Sequence, residues 1–349
     1  MIDILPLSLL ICFLLWASNK YLKYNFLRNL RSSPQTFHKK STSRLGGLAV
    51  FFSLYVVIFF VDNSSNFSFL KVALLCSIPV FITGLLDDIQ LNINPIFRLF
   101  LMVPTPVLFF YILGVRVESV SVSFIDQLLQ IEIIALAFMI FAFIGIINAF
   151  NIIDGFNGLL LSYVMTVLVA LILGFEEKSG IQSLSYMVAL FFAILGVFIF
   201  NFPFGKIFLG DAGAYLLGAL VPLGLIKYTL DNEFSPWFVM AILIYPVTEV
   251  MVSIVRKALI RKKSALEPDG LHLHMLIYKK VTKRIGFKRI KQRHFLVTII
   301  TLILNFPFML LANFYKNDTA SLALICLWYV LIYLAIYFIL LPKYAFKNR

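Results

Sequence analysis

Charge is scarce in this sequence. Only 13% of its 349 residues are Asp, Glu, Lys or Arg, against about a quarter in a soluble globular domain. A chain so poor in ionised groups cannot cover a water-facing surface, which excludes a soluble globular protein. Cysteine is rarer still: Cys12, Cys76 and Cys326 all lie in apolar runs, with no C-x-x-C or other metal spacing. That removes a thiolate zinc site and leaves disulfides without support. There is no internal repeat, no long linker and no stretch polar enough for a separate soluble domain, so residues 1–349 read as a single integral membrane domain. The ten-residue alternating segments of a membrane β-barrel are absent as well.

What is present is apolar. Hydrophobic residues make up 61% of the chain, and the mean hydropathy is +0.95. Several apolar stretches reach about twenty residues, the length that crosses a bilayer. Eleven candidate spans run roughly over 2–19, 45–61, 70–86, 95–113, 131–147, 158–174, 184–202, 212–229, 237–255, 295–315 and 320–341. The fold class expected is therefore all-α and polytopic, with about 10–11 transmembrane helices. The first segment has no basic residue before it and no A-x-A end, so it reads as a retained span rather than a cleaved signal.

The net charge of +13 invites a nucleic-acid role. The distribution of the charge explains it otherwise. With the N-terminus outside, 25 of the 30 Lys and Arg residues fall on the inner side, thirteen of them between Arg256 and Arg293. Cytoplasmic loops of membrane proteins are enriched in just this way. No nucleic-acid partner is expected, and the C-terminus is placed in the cytoplasm. The largest extramembrane piece is a basic loop over about 256–294. One outer segment, Gly114 to Phe124, alternates apolar and polar residues and reads as a short β-ribbon or an extended loop.

Four polar clusters sit at span ends, all on the inner side: "GLLDDI", "NAFNIIDGFNG", "FLGDAGAYLLG" and "PDGLHLHMLIY". Asp87 and Asp88 close a span, where acids oppose the helix dipole and need a compensating cation. Asn148, Asn151, Asp154 and Asn157 follow each other at intervals of three, which makes neighbours on a helix surface until Gly155 and Gly158 interrupt it. Such amides and acids ligate a hard cation through oxygen or read a base edge. Asp211 stands between Gly210 and Gly213 just before a span, where exposed N–H groups attract phosphate and where an Asp also serves as a simple cap. His272 and His274 would point apart on a helix, but both face one ligand from an extended segment; the cations around them suit an anion. Glu249 lies with Pro246 in the ninth span. An intramembrane acid is a functional candidate, but its place near the inner end makes pairing with a loop Lys or Arg the expectation, outside the site. Hard oxygens, glycine-flanked backbone and a cationic loop together fit a diphosphate bound to Mg²⁺. Rival classes are a membrane transporter and a non-catalytic scaffold; a transporter would show repeats and midplane polar groups, not polar groups gathered at one face.

These motifs, with "SRLGGLAVF" ahead of them, resemble in order and sidedness the polyprenyl-phosphate N-acetylhexosamine-1-phosphate transferase family, over nearly the whole chain. The resemblance implies an enzyme of the bacterial inner membrane with its active site facing the cytoplasm. It would transfer an N-acetylhexosamine 1-phosphate from a UDP-sugar to undecaprenyl phosphate, release UMP, and start O-antigen or other cell-envelope polysaccharide synthesis. Mg²⁺ is implied as cofactor, with Mn²⁺ as a substitute, and a homodimer in the membrane lipid. By the same resemblance Asp211 falls on the metal-ligating position, with Asn151 as its helper. Asp87 and Asp88 fall on the paired acids that orient or deprotonate the lipid phosphate, and Asp154 joins them in the catalytic set. Asn157 falls where related enzymes contact uracil, and His272 and His274 where they hold the nucleotide phosphates. Asn148, Gly210, Gly46 and Gly47 complete the substrate-binding set.

Four departures stand out. Asn157 replaces an acid, Ala214 replaces a Ser, and His272-Leu273-His274-Met275 is shorter than the full histidine motif. Gln90, Leu91 and Asn92 follow the paired acids where the muramoyl-pentapeptide branch has a basic residue, which favours UDP-GlcNAc or a related donor. The sugar is expected to be read by the loop from about Ala265 to Arg293. A phosphate monoester has its second pKa near ~6, so the acceptor is already mostly dianionic and a general base adds little. Replacing Asp211 by Asn is thus expected to slow turnover more than Asp87→Asn or Asp88→Asn. Loss of turnover in both of the latter, with most of it kept in Asp211→Asn, would reverse that ranking.

Overall fold

The computed structural model describes residues 3–22, 42–61, 65–89, 91, 93–176, 180–261, 270–286 and 289–341. Much of the basic charge expected at 23–41, 262–269, 287–288 and 342–349, part of the proposed sugar-reading loop, and Gln90 and Asn92 lie outside the described residues. Among those described, the elements are helices and no strand forms.

In chain order they are α1 (Ile4–Leu22), α2 (Gly46–Val56), α3 (Ser68–Cys76), α4 (Ile78–Asp88), α5 (Pro95–Met102), α6 (Pro104–Tyr111), α7 (Ser123–Leu129), α8 (Glu132–Ile153) and α9 (Leu159–Leu173). They continue as α10 (Gly180–Asn201), α11 (Gly210–Asp231), α12 (Trp237–Ile242), α13 (Ile244–Val255), α14 (Leu273–Leu276), α15 (Thr282–Arg284), α16 (Ile290–Phe314) and α17 (Thr319–Leu340). Each of the eleven expected spans contains one helix or a pair. By length and apolarity α8, α10, α11, α16 and α17 are each able to cross a membrane, and α3 with α4 forms a further apolar pair bent by 49°, a broken span or a re-entrant loop. The bend falls at Ser77, whose hydroxyl bonds to the Ala73 carbonyl at 2.8 Å, just before Pro79. Proline in the first turn of a helix is tolerated, but it ends the helix before it. The protein is a multi-pass membrane protein.

The alternating segment after Gly114 is the extended loop and not a ribbon: 115–120 has no strand partner, and α7 begins at Ser123. Its backbone is satisfied by side chains instead. The Val120 N–H donates to Asp126 at 2.7 Å, and the Trp237 indole N–H donates to the Val120 carbonyl at 3.1 Å.

α11 is the axis of the bundle. Of its most apolar window 83% is buried, against 33–50% for the other long helices. It packs against α4, α8 and α2. Glycine makes these approaches close, because a side chain there would meet main chain. A Cβ on Gly47 would lie 2.3 Å from the Gly213 nitrogen, one on Gly84 2.5 Å from the Ala212 backbone, and one on Gly218 2.8 Å from the Ile147 Cα. The start of α2 is docked by hydrogen bonds as well. Gly46 and Gly47 donate their N–H groups to the carbonyls of Phe208 and Leu209 at 2.9 and 2.7 Å, so two donors that a helix start leaves unpaired find partners. This docking brings the motif at 46–47 to the beginning of α11.

Gly84→Ala is therefore expected to destabilise the protein by about 1–3 kcal/mol through overpacking. Gly145→Ala, on the same bundle but with nothing within 4 Å of its Cβ, should be neutral or slightly stabilising. Thermal unfolding in detergent, wild type beside both variants, measures the difference.

Candidate active site

The site starts from the end of α4. Asp88 is buried, and its carboxylate accepts the N–H groups of Asp211 and Ala212 at 2.9 Å each. One acid thus closes the C-terminus of α4 and caps the N-terminus of α11. The unfavourable dipole at the end of α4 is offset by the favourable one at the start of α11. Gly210 makes room for this contact: its φ is +80°, and a Cβ there would lie 2.6 Å from Asp88 Oδ2 and 2.7 Å from the Arg44 carbonyl.

The cations that the paired acids require come from two other elements. Arg44, just before α2, donates to Asp88 at 3.4 Å and to Asp211 at 3.2 Å. Arg98, in α5, donates to Asp87 at 3.3 Å, and the Tyr215 hydroxyl donates to the same Asp87 oxygen at 3.1 Å. Asn151, in the last turn of α8, donates its amide to the other Asp211 oxygen at 2.7 Å. Four stretches far apart in the chain therefore meet at one place. Asp211 remains the open acid: its side chain is 24% exposed, against 0% for Asp88.

α8 ends at Ile153, so the stripe of polar residues leaves the helix after Asn151. Asp154 caps the helix end. Burial pushes its carboxyl well above the ordinary range, Asp211 adds to the shift, and Arg44 opposes it. Asn157 lies in the following turn. Its amide donates to the Pro203 carbonyl at 3.2 Å and its peptide N–H to His294 Nδ1 at 3.3 Å, while its buried Oδ1 has no partner. Asn148 does not join the cluster. Its amide donates back to the Ile144 carbonyl at 2.7 Å and faces the Met102 sulfur.

The two histidines form a second cluster. His272 precedes α14 in extended conformation and His274 lies in its first turn, so the rings stack 5.5 Å apart and 2° from parallel. Both direct Nδ1 at Glu249, at 3.2 Å each. Glu249 thus pairs with histidines, and not with a loop Lys or Arg as its sequence position led us to expect. Burial holds the His272 imidazole below its ordinary value, with Glu249 working against that shift. A Cβ on Gly155 would lie 3.5 Å from His274 Nε2, so the turn after Asp154 joins the histidines to the acids.

Among the described residues, four carboxyl groups, Asp87, Asp88, Asp154 and Asp211, face two guanidinium groups, Arg44 and Arg98. A divalent cation would balance the remainder. Among the described residues no three acid, His or Cys side chains converge as an all-protein metal cage. The donors present therefore fit Mg²⁺ in its usual form, held by one or two carboxylates and completed by phosphate oxygens and water. Sequence reasoning counted Arg44 and Arg98 only as inner-side charge and passed over Tyr215. Arg44 stands inside the "SRLGGLAVF" motif, which was the one available signal.

The fold and site define a membrane protein in which acid, arginine and amide side chains meet where its helix ends converge. The glycosyl transferase family 4 pattern matches residues 70–229. Undecaprenyl-phosphate alpha-N-acetylglucosaminyl 1-phosphate transferase of Thermotoga maritima is 30% identical, the match covering 72% of this chain and 74% of that protein. "Probable undecaprenyl-phosphate N-acetylglucosaminyl 1-phosphate transferase" of Bacillus subtilis is 27% identical, over 87% of this chain and 82% of the relative. Phospho-N-acetylmuramoyl-pentapeptide-transferase of Staphylococcus saprophyticus is 26% identical, over 69% and 78%. The chain belongs to glycosyl transferase family 4.

Asp88→Asn keeps one acceptor oxygen and loses the other, so one N–H at the head of α11 is left unpaired. A cost of about 1–3 kcal/mol is expected, read as a lowered unfolding midpoint. The equivalent change at Asp211, which caps nothing in the backbone, should move the midpoint less.

Proposed function

We propose that the protein transfers an N-acetylhexosamine 1-phosphate, most simply GlcNAc 1-phosphate, from its UDP derivative to undecaprenyl phosphate. It then acts in the bacterial plasma membrane with its acid cluster facing the cytoplasm, at the first membrane-bound step of a cell-envelope polysaccharide. A phosphate oxygen of the lipid attacks the sugar-bearing phosphorus. The bond from that phosphorus to the oxygen bridging the two phosphorus atoms breaks, and UMP leaves with the bridging oxygen. The observation that carries this reading is the convergence of Arg44, Asp88 and Asn151 on Asp211, each hydrogen-bonded to it.

The main barrier is the approach of two anions, which fixed positive charge reduces. Arg44 and Arg98 supply such charge and are themselves held by Asp88, Asp211 and Asp87. Asp211, with Asn151 orienting it, would hold Mg²⁺, which when bound shields the diphosphate and polarises the phosphorus under attack. Asn151 presents its NH₂ to Asp211, so orientation describes it better than ligation. Asp154 is the adjacent acid, its carboxyl pushed above the ordinary range by burial. Asn157 offers its unpaired Oδ1 to the imide N–H of uracil, since its NH₂ is already committed to Pro203.

An apolar cavity beside this centre supports the lipid reading. It has a volume of about 680 Å³ and runs between α8, α11 and α13, from Val117 past Phe138 and Ile226 to Val250 and Ile254. Its lower wall includes Ala149, two residues before Asn151. A polyprenyl chain lying there would bring its phosphate to the acids.

Purified protein, undecaprenyl phosphate and a panel of UDP-sugars test the proposal, with UMP release and lipid product mass as readouts. UDP-GlcNAc should be consumed, chelation should stop the reaction, and Mg²⁺ or Mn²⁺ should restore it. Asp211→Asn should cost on the order of 100-fold or more in kcat. No UMP from any donor would overturn the assignment.

A further inference from the structure

Among the described residues, Glu249 is the one buried acid that the reaction above does not use. It lies in the apolar helix α13 with 1% exposure. An ionised carboxyl in such a place is costly unless several donors surround it. The segment that carries the histidines supplies three such donors, and the Tyr245 and Tyr333 hydroxyls stand against the same carboxylate. His272 Nδ1 meets Oε2, His274 Nδ1 meets Oε1, and the Leu273 N–H lies 3.1 and 3.3 Å from the two oxygens. The Tyr245 hydroxyl, one turn before Glu249, stands 3.2 Å from His274 Nδ1. Two turns further on, at the C-cap of α13, Arg256 donates to the Leu271 carbonyl at 3.1 Å. One face of α13 thus grips the backbone on both sides of His272.

We propose that Glu249 is a positioning residue: it fixes both imidazoles with Nδ1–H turned inward, leaving both Nε2 atoms for the phosphates of the nucleotide. This rests on the reading that His272 and His274 contact those phosphates. A carboxylate is acceptor-only, so each ring nitrogen that meets it carries the proton. His274 Nε2, buried and without a partner, is then the bare nitrogen on the side of the Asp154–Asn157 turn. A phosphate oxygen also only accepts, so it draws a proton onto Nε2. The negative charge of Glu249 balances the imidazolium that results. Carboxylates placed behind functional histidines orient and charge them in this manner elsewhere.

Glu249→Gln has nearly the same shape but offers one acceptor and one NH₂ donor. It can accept from one imidazole and must donate to the other, which forces that ring to carry its proton on Nε2. The protein has four histidines, so ¹⁵N-histidine spectra, assigned by single substitutions, resolve the tautomers. In the wild type both His272 and His274 should be Nδ1–H. In Glu249→Gln one should invert, and KM for the UDP-sugar should rise about 10-fold or more with a smaller change in kcat. Glu249→Asp keeps the charge and both acceptors, so it should retain the wild-type tautomers and recover part of the KM.

Unchanged tautomers in Glu249→Gln overturn the inference, and so does an inverted ring with unchanged KM. His274→Ala separates the causes. If it too leaves KM unaltered, the failure lies in the role given to the histidines. If it raises KM where Glu249→Gln does not, the failure lies with Glu249 alone.

Discussion

The Asp88 carboxylate on the first N–H groups of α11 is the contact on which the rest of the site depends. It joins the end of α4 to the start of α11, Asp88 and Ala212 being 124 positions apart in the chain. The contact orients Asp211, because the peptide N–H of Asp211 is itself one of the donors. Arg44 then bridges the two acids from the start of α2. The hydrogen bonds of Gly46 and Gly47 to Phe208 and Leu209 place that arginine, and Gly210 leaves it space. Each of these contacts is made at a helix terminus. In an apolar bundle the termini are where backbone groups lack partners, so polar side chains gather there.

A membrane bundle has little apolar driving force to hold helices together, since lipid is as apolar as a side chain, and close backbone approach takes its place. Gly47 of α2 and Gly84 of α4 face α11, and its own Gly218 faces α8, for that reason. The same closeness serves the chemistry. Side chains at the head of α11 can touch α2, α4 and α8 at once only because no Cβ keeps those helices apart. Stability and site geometry are one feature here, which is why the functional motifs of this chain carry as much glycine as acid.

The spans, their order and the polar clusters at their ends were legible from residue type alone, because hydropathy is a local property and bilayer thickness sets its length scale. Asp87, Asp88, Asn151, Asp154 and Asp211 could be picked out for a similar reason: polar residues are conspicuous against an apolar background. Their partners were not. Arg44 and Arg98 look like ordinary positive-inside residues, and only the bundle brings them to particular acids. Glu249 was expected to meet a cationic loop side chain and instead meets two imidazoles and a peptide N–H. Asn148 shares the spacing of Asn151 but faces Met102 and its own helix, since a period of three drifts around a helix of 3.6 residues per turn.

The amino-acid sequence by itself determined that this chain crosses a membrane many times and which stretches hold its chemistry. Both follow from composition within windows of about twenty residues or fewer. The tertiary structure alone decided which acid is tied to backbone and which stays open, which arginine faces which carboxylate, and that one buried glutamate stands behind both histidines. Those are pairings between residues that lie from 11 to 167 positions apart. Local pattern carries no information about them, because burial leaves each charge to be satisfied by whatever the packing of other helices brings beside it.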